Sequence, residues 1–440
     1  MRRHVLVGSG VASLSAAEAI RRADPQSRIT LIAPERTPFY SRPGLAYLLT
    51  NEIPEAQLSL RSPKDIDGLR IDMVHQRAAR ILTDVHVVQL DDGSHVPYDR
   101  LLLATGATSI RGEFPGAGLD GVVQLDDLDQ ARQIVERTQH ARAAVVVGGG
   151  STALELVDGM IARGIETHYL MRGDRFWSKV FDGVESAIVE ARLQAHGVTL
   201  ARNSAVREAL GTNGRLTGVR TSTGQHIACD LLAVAIGVRP RMELAVDAGL
   251  QTDKGILTTE YLETSADGVY AAGDVAQVYD PVMQRAQMDT LWSSALQQGR
   301  TAGLNMAGIR VALRKRVPMN VTKVAGITVT IVGAVGGGED PDLLTLTRGQ
   351  SERWVMDPDA WSVGGARRGD RLRVVVSGRA IVGAVVMGDQ RLSRALAHLI
   401  GEEVDIAPLR PALDASPDDA MELLLNFCDA HVSDHAARHG

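Results

Sequence analysis

The chain has 440 residues, 45% hydrophobic and 23% charged, enough for two or three globular domains. Its formal net charge of −6, the lack of a basic run and an aromatic content of 4% argue against nucleic acid as a partner. Two cysteines, Cys229 and Cys428, give no disulfide framework and suit a reducing compartment, and no apolar run reaches the roughly 18–20 residues that span a bilayer.

The N-terminal Arg2-Arg3 followed by apolar residues has the look of an export signal. Gly8-Ser9-Gly10 breaks that run, and the following Ala-rich stretch carries Glu18, Arg21 and Arg22, so a cytoplasmic protein is expected. His4–Val7 reads as a buried strand, Ser13–Arg22 as a helix and Arg28–Ala33 as the next parallel strand, a βαβ unit. Residues 77–103 read as strands and hairpins around the Asp91-Asp92-Gly93 turn, and a helix is expected over 126–139. A second βαβ unit follows: strand Ala143–Val147, helix Thr152–Arg163, strand Thr167–Leu170. From about Val317 the pattern turns β-rich over 321–335 and 372–387, with a Ser377-Gly378-Arg379 turn, then helices over 391–400 and 418–431.

Each βαβ unit opens on a glycine-rich turn. The first is Gly8-Ser9-Gly10-Val11-Ala12-Ser13, the second Gly148-Gly149-Gly150-Ser151-Thr152-Ala153. The first glycine permits the tight turn, the second lets backbone approach a pyrophosphate, and the small third residue lets helix pack on strand. The helix N-terminus offers amide N–H groups to the phosphates. Two such turns imply two bound dinucleotides. An acid after the second strand should hold ribose hydroxyls, and Glu35 is assigned that role in the first unit. At the same place in the second unit stand Met171 and Arg172, with Arg175 and Lys179 nearby. A missing acid beside cations suits a 2′-phosphate, hence NADP rather than NAD, although a solvated basic face is the alternative.

Three further stretches carry a family likeness. Ala104-Thr105-Gly106-Ala107 resembles the segment where the chain crosses between two nucleotide domains, and Ile236-Gly237-Val238-Arg239-Pro240 resembles the return crossing. Thr264–Val275, with Gly273-Asp274, resembles a second FAD motif. Order and spacing over residues 1–310 resemble the two-dinucleotide-binding flavoproteins of the pyridine nucleotide-disulfide oxidoreductase superfamily. That resemblance implies an α/β fold with two Rossmann-like domains, FAD bound by 1–111 and 240–316, NAD(P) by an inserted domain over 112–239, and an α+β interface domain over 317–440.

Disulfide reductases of that superfamily carry paired cysteines, which are absent here, and Pro43 occupies the place of the cysteine in its single-cysteine members. Phe39-Tyr40-Ser41-Arg42-Pro43 instead resembles the ferredoxin-reductase-like branch, which includes rubredoxin reductases and the flavin portion of nitrite reductases. Many of its members pair a lysine with a glutamate beside the flavin. Glu155 matches the glutamate, but Tyr47 stands where the lysine is expected, which makes Arg42 the candidate replacement. Trp292 is expected beside the flavin ring or on the acceptor face, with a core role as the alternative, and Lys323 either faces the flavin or lies on the surface.

The resemblance implies an FAD-dependent NAD(P)H oxidoreductase that hands electrons to a separate iron–sulfur or rubredoxin-type protein. The histidines show no metal-ligand spacing, and no iron–sulfur cysteine pattern occurs in the chain. A flavin subunit of a larger complex and a non-enzymatic nucleotide sensor are the rivals. The tail Ala420–Phe427 is either a docking helix or packed on its own domain or across a homodimer. Its acidic residues argue against a membrane-surface role.

Overall fold

The computed structural model describes residues 1–37, 39–281, 284–314, 317–335, 361–367 and 370–439, with backbone only for 361–367 and 432–439. The chain divides into two compact units, one made of residues 1–112, 123–140 and 236–315, the other of 113–122, 141–235 and 316–440. The expected helix near 126–139, observed as Leu128–Thr138, groups with the first unit rather than with the inserted domain, and the C-terminal segment groups with the second.

The first unit is built on a five-stranded parallel sheet in the order Val269–Ala271, Arg100–Leu103, Arg3–Val7, Arg28–Ile32, Ile71–Val74. Parallel strands covered on both faces need continuous apolar runs. Leu6, Ile29, Leu31 and Leu101 to Leu103 supply them, all fully buried. The Val11–Ala23 helix lies against the Trp292–Met306 helix at backbone distance. A Cβ on Gly299 would fall 2.1 Å from the Ala12 carbonyl oxygen and one on Gly303 2.5 Å from that of Ala16, so glycine permits the approach. Strands Ala107–Ser109 and Val238–Pro240, where the chain leaves and re-enters this unit, pair antiparallel. Asp126 fastens that crossing: it accepts from Thr108 Oγ1 and the Ser109 amide, both at 2.7 Å.

In the second unit, parallel strands run in the order Thr199–Ala201, Glu166–Leu170, Ala143–Val147, Leu231–Val234. Helices Ser151–Ala162 and Gly183–Ala195 belong to this fold. Its C-terminal part is an antiparallel sheet in the order Met319–Val324, Ile327–Gly333, Ala380–Met387, Asp370–Ser377, Trp361–Arg367. The Leu392–Gly401 helix buries Leu392, Leu396, Leu399 and Ile400 in the same core as Val374 and Val386. The last helix, Ala420–His439, adds Ala420, Leu424 and Cys428 to that core, so of the two readings of the tail the packed one describes this stretch.

One buried ionic cluster joins the C-terminal sheet to the nucleotide fold inside this unit. Arg373 donates through Nε and Nη2 to the two oxygens of Glu185 (2.8 and 3.0 Å), and to the carbonyls of Val335 (2.8 Å) and Val180 (2.6 Å). Glu185 is 0% exposed and also completes a capping box with Asp182, which itself accepts from Arg371 at 3.0 Å.

Candidate functional site

The first glycine turn has the shape a pyrophosphate requires. Gly8 has φ +113°, and a Cβ there would sit 2.1 Å from the Ala104 carbonyl oxygen. At Gly10, by contrast, a Cβ would meet no protein atom within 4 Å, so backbone lies open to a ligand. No side chain caps the helix that begins at Val11, which leaves its first-turn amides for an anion. Ser13 is fully buried, as the packing role of the third motif position demands, and Val11 and Ala12 are buried beside it.

The second dinucleotide motif of this unit arrives from far along the chain. Gly273 donates its amide to Gln298 Oε1 (2.8 Å), and its Cα lies so near Ala12 that an added Cβ would be 3.4 Å from that residue's own. Gly273-Asp274 thus stands beside the first glycine turn. Ala104 is buried, Thr105 Oγ1 donates to the Arg241 carbonyl (2.8 Å), and the Ile110 amide donates to the Gly237 carbonyl (2.9 Å). Gly106 and Gly237, at φ +68° and +128°, form the two crossing bends.

Glu35 lies three residues beyond the second strand, held from three sides. It accepts from Ser9 Oγ in the glycine turn, from Tyr40 Oη (3.1 Å) and from Arg42 Nη2 (3.1 and 3.2 Å). Arg42 also donates to the Asp126 carbonyl (2.6 Å), and the Tyr40 hydroxyl accepts from the Leu128 amide (3.1 Å). Burial works against the Arg42 charge, but Tyr40 and Glu35 outweigh it and raise its pKa; burial likewise pushes the Tyr40 hydroxyl up. Arg42 is therefore committed to Glu35, a different glutamate from the one for which it was the candidate partner. Pro43 and Tyr47 are exposed at the start of the short helix Leu45–Leu49. Tyr40 and Asp126 carry much of this network and were given no role from the sequence, because their partners lie up to 88 residues away.

Trp292 opens the Trp292–Met306 helix and packs partly against the core of the first unit. Its other side lines a surface pocket of about 230 Å³ together with Leu14, Leu296, Arg22, Arg61 and Arg300. Glu18 lies in the same pocket and pairs with both Arg22 and Arg61. The net sign there is positive.

In the second unit the glycine turn repeats the geometry. A Cβ on Gly148 would sit 2.2 Å from the Ala235 carbonyl oxygen, whereas at Gly149 and Gly150 it would meet nothing within 4 Å. The helix starting at Ser151 and Thr152 has no side-chain cap. Both turns therefore fit a dinucleotide. Glu155 is half-buried on that helix, and one turn later comes Asp158, which accepts from the Ala325 amide (3.0 Å) in the hairpin of the C-terminal sheet. Burial, opposed by that hydrogen bond and by Lys323 and His196 and reinforced by Glu155, pushes the Asp158 carboxyl up to about 6. Lys323 is half-buried here, among the charges acting on Asp158. Met171 is fully buried and Arg172 exposed. Among the described residues no cluster of His, Cys, Asp and Glu could hold a metal ion, and no helix is long and apolar enough to cross a membrane.

Comparison with known proteins agrees with this geometry. A family model described as "Pyridine nucleotide-disulphide oxidoreductase" matches residues 2–299. Rhodocoxin reductase of Rhodococcus erythropolis is 32% identical over 308 residues, 69% of this chain and 72% of that protein. Rubredoxin-NAD(+) reductase of Pseudomonas putida is 30% identical over 274 residues, 62% of this chain and 71% of its own. In fold, the chain is similar to the covalent putidaredoxin reductase–putidaredoxin complex, with a TM-score of 0.84, 22% identity, and 98% and 99% of the two chains covered.

Proposed function

Because this chain belongs to the pyridine nucleotide-disulphide oxidoreductase family, we propose that it is an FAD-dependent NAD(P)H oxidoreductase whose electrons go to a small iron–sulfur or rubredoxin-type protein. The observation that carries this reading is the pair of uncapped helix N-termini behind glycine turns, each open to a pyrophosphate. FAD in the first turn and a nicotinamide nucleotide in the second account for both. Bound FAD accepts a hydride's two electrons and releases them one at a time, chemistry that no side chain supplies.

The protein's own residues bind and orient. Gly8, Gly10, Val11 and Ala12 present backbone to the FAD pyrophosphate, Glu35 accepts from the adenosine ribose, and Gly273-Asp274 reaches the ribityl side. Gly148, Gly150, Ser151 and Thr152 serve the nicotinamide nucleotide in the same way, with Glu155 further along the helix. Ala104-Thr105-Gly106, Gly237, Arg42 and Pro43 shape the surrounding loops. Thiol chemistry has no place in the scheme: both cysteines are buried, and burial pushes the Cys229 thiol up to about 12, far from the thiolate form that reacts. Two reduced thiols suit a cytoplasmic protein, the location we propose.

The basic pocket around Trp292 suits an acidic acceptor. Arg61 and Arg300 would steer it, chiefly through the rate of encounter. Of the relatives named above, rhodocoxin reductase and rubredoxin-NAD(+) reductase carry acceptors or coenzyme in their names, which supports the choice of acceptor class.

The deciding measurement is anaerobic stopped-flow mixing of the purified flavoprotein with NADH or NADPH, followed near 450 nm. Rapid bleaching by either nucleotide is expected; absence of bleaching by both overturns the reading. With an acidic ferredoxin as acceptor, Arg300→Glu should lower kcat/KM for the acceptor about tenfold at low salt and leave flavin bleaching unchanged.

A further inference from the structure

We propose that the C-terminal sheet acts on the nicotinamide-nucleotide site from a distance: Arg373 is a positioning residue that holds the second glycine turn in shape through a short chain of hydrogen bonds. The proposal rests on the nicotinamide-nucleotide reading above and deepens it.

The chain of bonds begins at Gly149, inside that turn. A Cβ there would meet nothing within 4 Å, so one side of the residue is open to a ligand. Its carbonyl, by contrast, is held and accepts from the Trp177 amide (3.1 Å). Trp177 lies between strand Glu166–Leu170 and helix Gly183–Ala195, at φ 43°. A bulky residue adopts that left-handed conformation only where its surroundings impose it. Here the Trp177 carbonyl accepts from the amides of Val180 (2.8 Å) and Phe181 (2.9 Å). Its ring packs edge-on against that of the buried Phe181, with centroids 5.1 Å apart. Residues 177–181 thus close into one turn whose first amide is bonded to the glycine turn.

Arg373, on strand Asp370–Ser377, grips the other end of 177–181. Its Nη2 donates to the Val180 carbonyl (2.6 Å) and its Nη1 to the Val335 carbonyl (2.8 Å), while Nε and Nη2 engage the two oxygens of Glu185. Only 10% of the side chain is exposed, so water is a poor substitute for these partners. The planar guanidinium fixes a carbonyl of the loop, a carboxylate of the next helix and a carbonyl of the C-terminal region in one geometry. A lysine ammonium has no such fork. A second tie runs from the same sheet to the helix that starts at the glycine turn: Asp158, on helix Ser151–Ala162, accepts from the Ala325 amide (3.0 Å). Ala325 lies in the hairpin between strands Met319–Val324 and Ile327–Gly333. The sheet therefore holds the turn twice, through the helix that follows it and through the segment bonded to Gly149. Loosening either tie frees backbone that must present its amides to a pyrophosphate.

Amide exchange on the whole flavin-loaded protein, without coenzyme, reads the turn directly. Arg373→Lys keeps a countercharge for Glu185 and gives up the fork. Exchange over residues 148–152 should rise about fivefold, while exchange over 8–13 in the first unit stays unchanged. Calorimetric titration with NAD⁺ and NADP⁺, which cannot reduce the flavin, should show the tighter of the two weakened about fivefold. In turnover, KM for its reduced form should rise by a similar factor, with kcat within about twofold of wild type. Arg373→Met should act in the same direction and further; if it does not fold, Arg373→Lys decides. Unchanged exchange over 148–152 or unchanged coenzyme affinity in Arg373→Lys overturns the proposal, and so does a rise shared equally by residues 8–13, the mark of general destabilisation. If that happens while NADH or NADPH still bleaches the flavin, the reductase reading stands without it. If the wild-type protein binds neither coenzyme and neither bleaches the flavin, both fail.

Discussion

The two glycine turns are nearly the same device, but the residues that follow the second strand of each fold are opposites. In the first unit the residue after the second strand region is an acid, Glu35, held by a serine, a tyrosine and an arginine. In the second the comparable place is apolar and inward, and the polar groups nearby are arginines. The pyrophosphate is the same in any dinucleotide, so the backbone that binds it repeats. The ribose substituent distinguishes one coenzyme from another, and there the side chains diverge. The units also differ in how they keep charge: Arg42 and Glu35 retain 33% and 25% side-chain exposure, whereas the Arg373–Glu185 pair keeps 10% and 0%.

That difference in burial gives the largest expected effect. Glu185→Ala would leave the buried Arg373 with only the more distant Asp182, 3.7 Å away, as countercharge and should cost about 3 kcal/mol. Chemical denaturation followed separately by flavin release and by tryptophan fluorescence would register it; a loss under about 1 kcal/mol would show that the burial contrast carries no energetic weight.

The next effect is the pH response of the second unit. Asp158 has a folded-state pKa near 6, above the ordinary carboxylate value of about 3.8. Between those values the folded chain keeps a proton that the unfolded chain has lost. Its contribution is thus fully present below about pH 4 and lost as pH rises through 6, on the order of 3 kcal/mol in all. Asp158→Asn keeps an acceptor for the Ala325 amide and removes the titration. Its stability relative to wild type should rise from pH 4 to pH 8, and a pH-independent difference would contradict the assignment.

The smallest effect sharpens the ribose contrast itself. Glu35→Gln retains shape and hydrogen bonding but removes the charge that Arg42 faces. FAD affinity should fall roughly tenfold, about 1.4 kcal/mol, measured by flavin fluorescence on dilution. NAD(P)H binding should not change.

The sequence carries the parts of this molecule that repeat over short range. Apolar runs such as Leu101-Leu102-Leu103, the two glycine turns and the hairpin at Gly378 were all readable, because strand burial and turn geometry are dictated by neighbours in the chain. Glu35 and Arg172 are picked out as candidates the same way, by their offset from a strand end. Tyr40, Asp126 and Asp158 gave no such signal. Each is a single polar residue whose role depends on a distant amide or guanidinium: Asp158 meets the amide of Ala325, 167 residues on, and Arg42 meets the carbonyl of Asp126, 84 residues on. Such pairings exist only once the chain has folded. The Leu128–Thr138 helix groups with the first unit through contacts of the same kind, since Tyr40 and Arg42 bind the residues at its start.

The antiparallel pairing of Ala107–Ser109 with Val238–Pro240 has a consequence for how such a chain can be built up. Where exit and return are hydrogen-bonded neighbours, what lies between them, apart from the stretch around the Leu128–Thr138 helix that packs in the first unit, is for the host sheet a closed loop. The entropy of closing a loop grows only with the logarithm of its length, so doubling the excursion adds only about 0.6 kcal/mol. An insert whose own ends already meet removes even that. The crossing is thus a socket: whole modules can be exchanged there with little thermodynamic penalty to the domain that receives them.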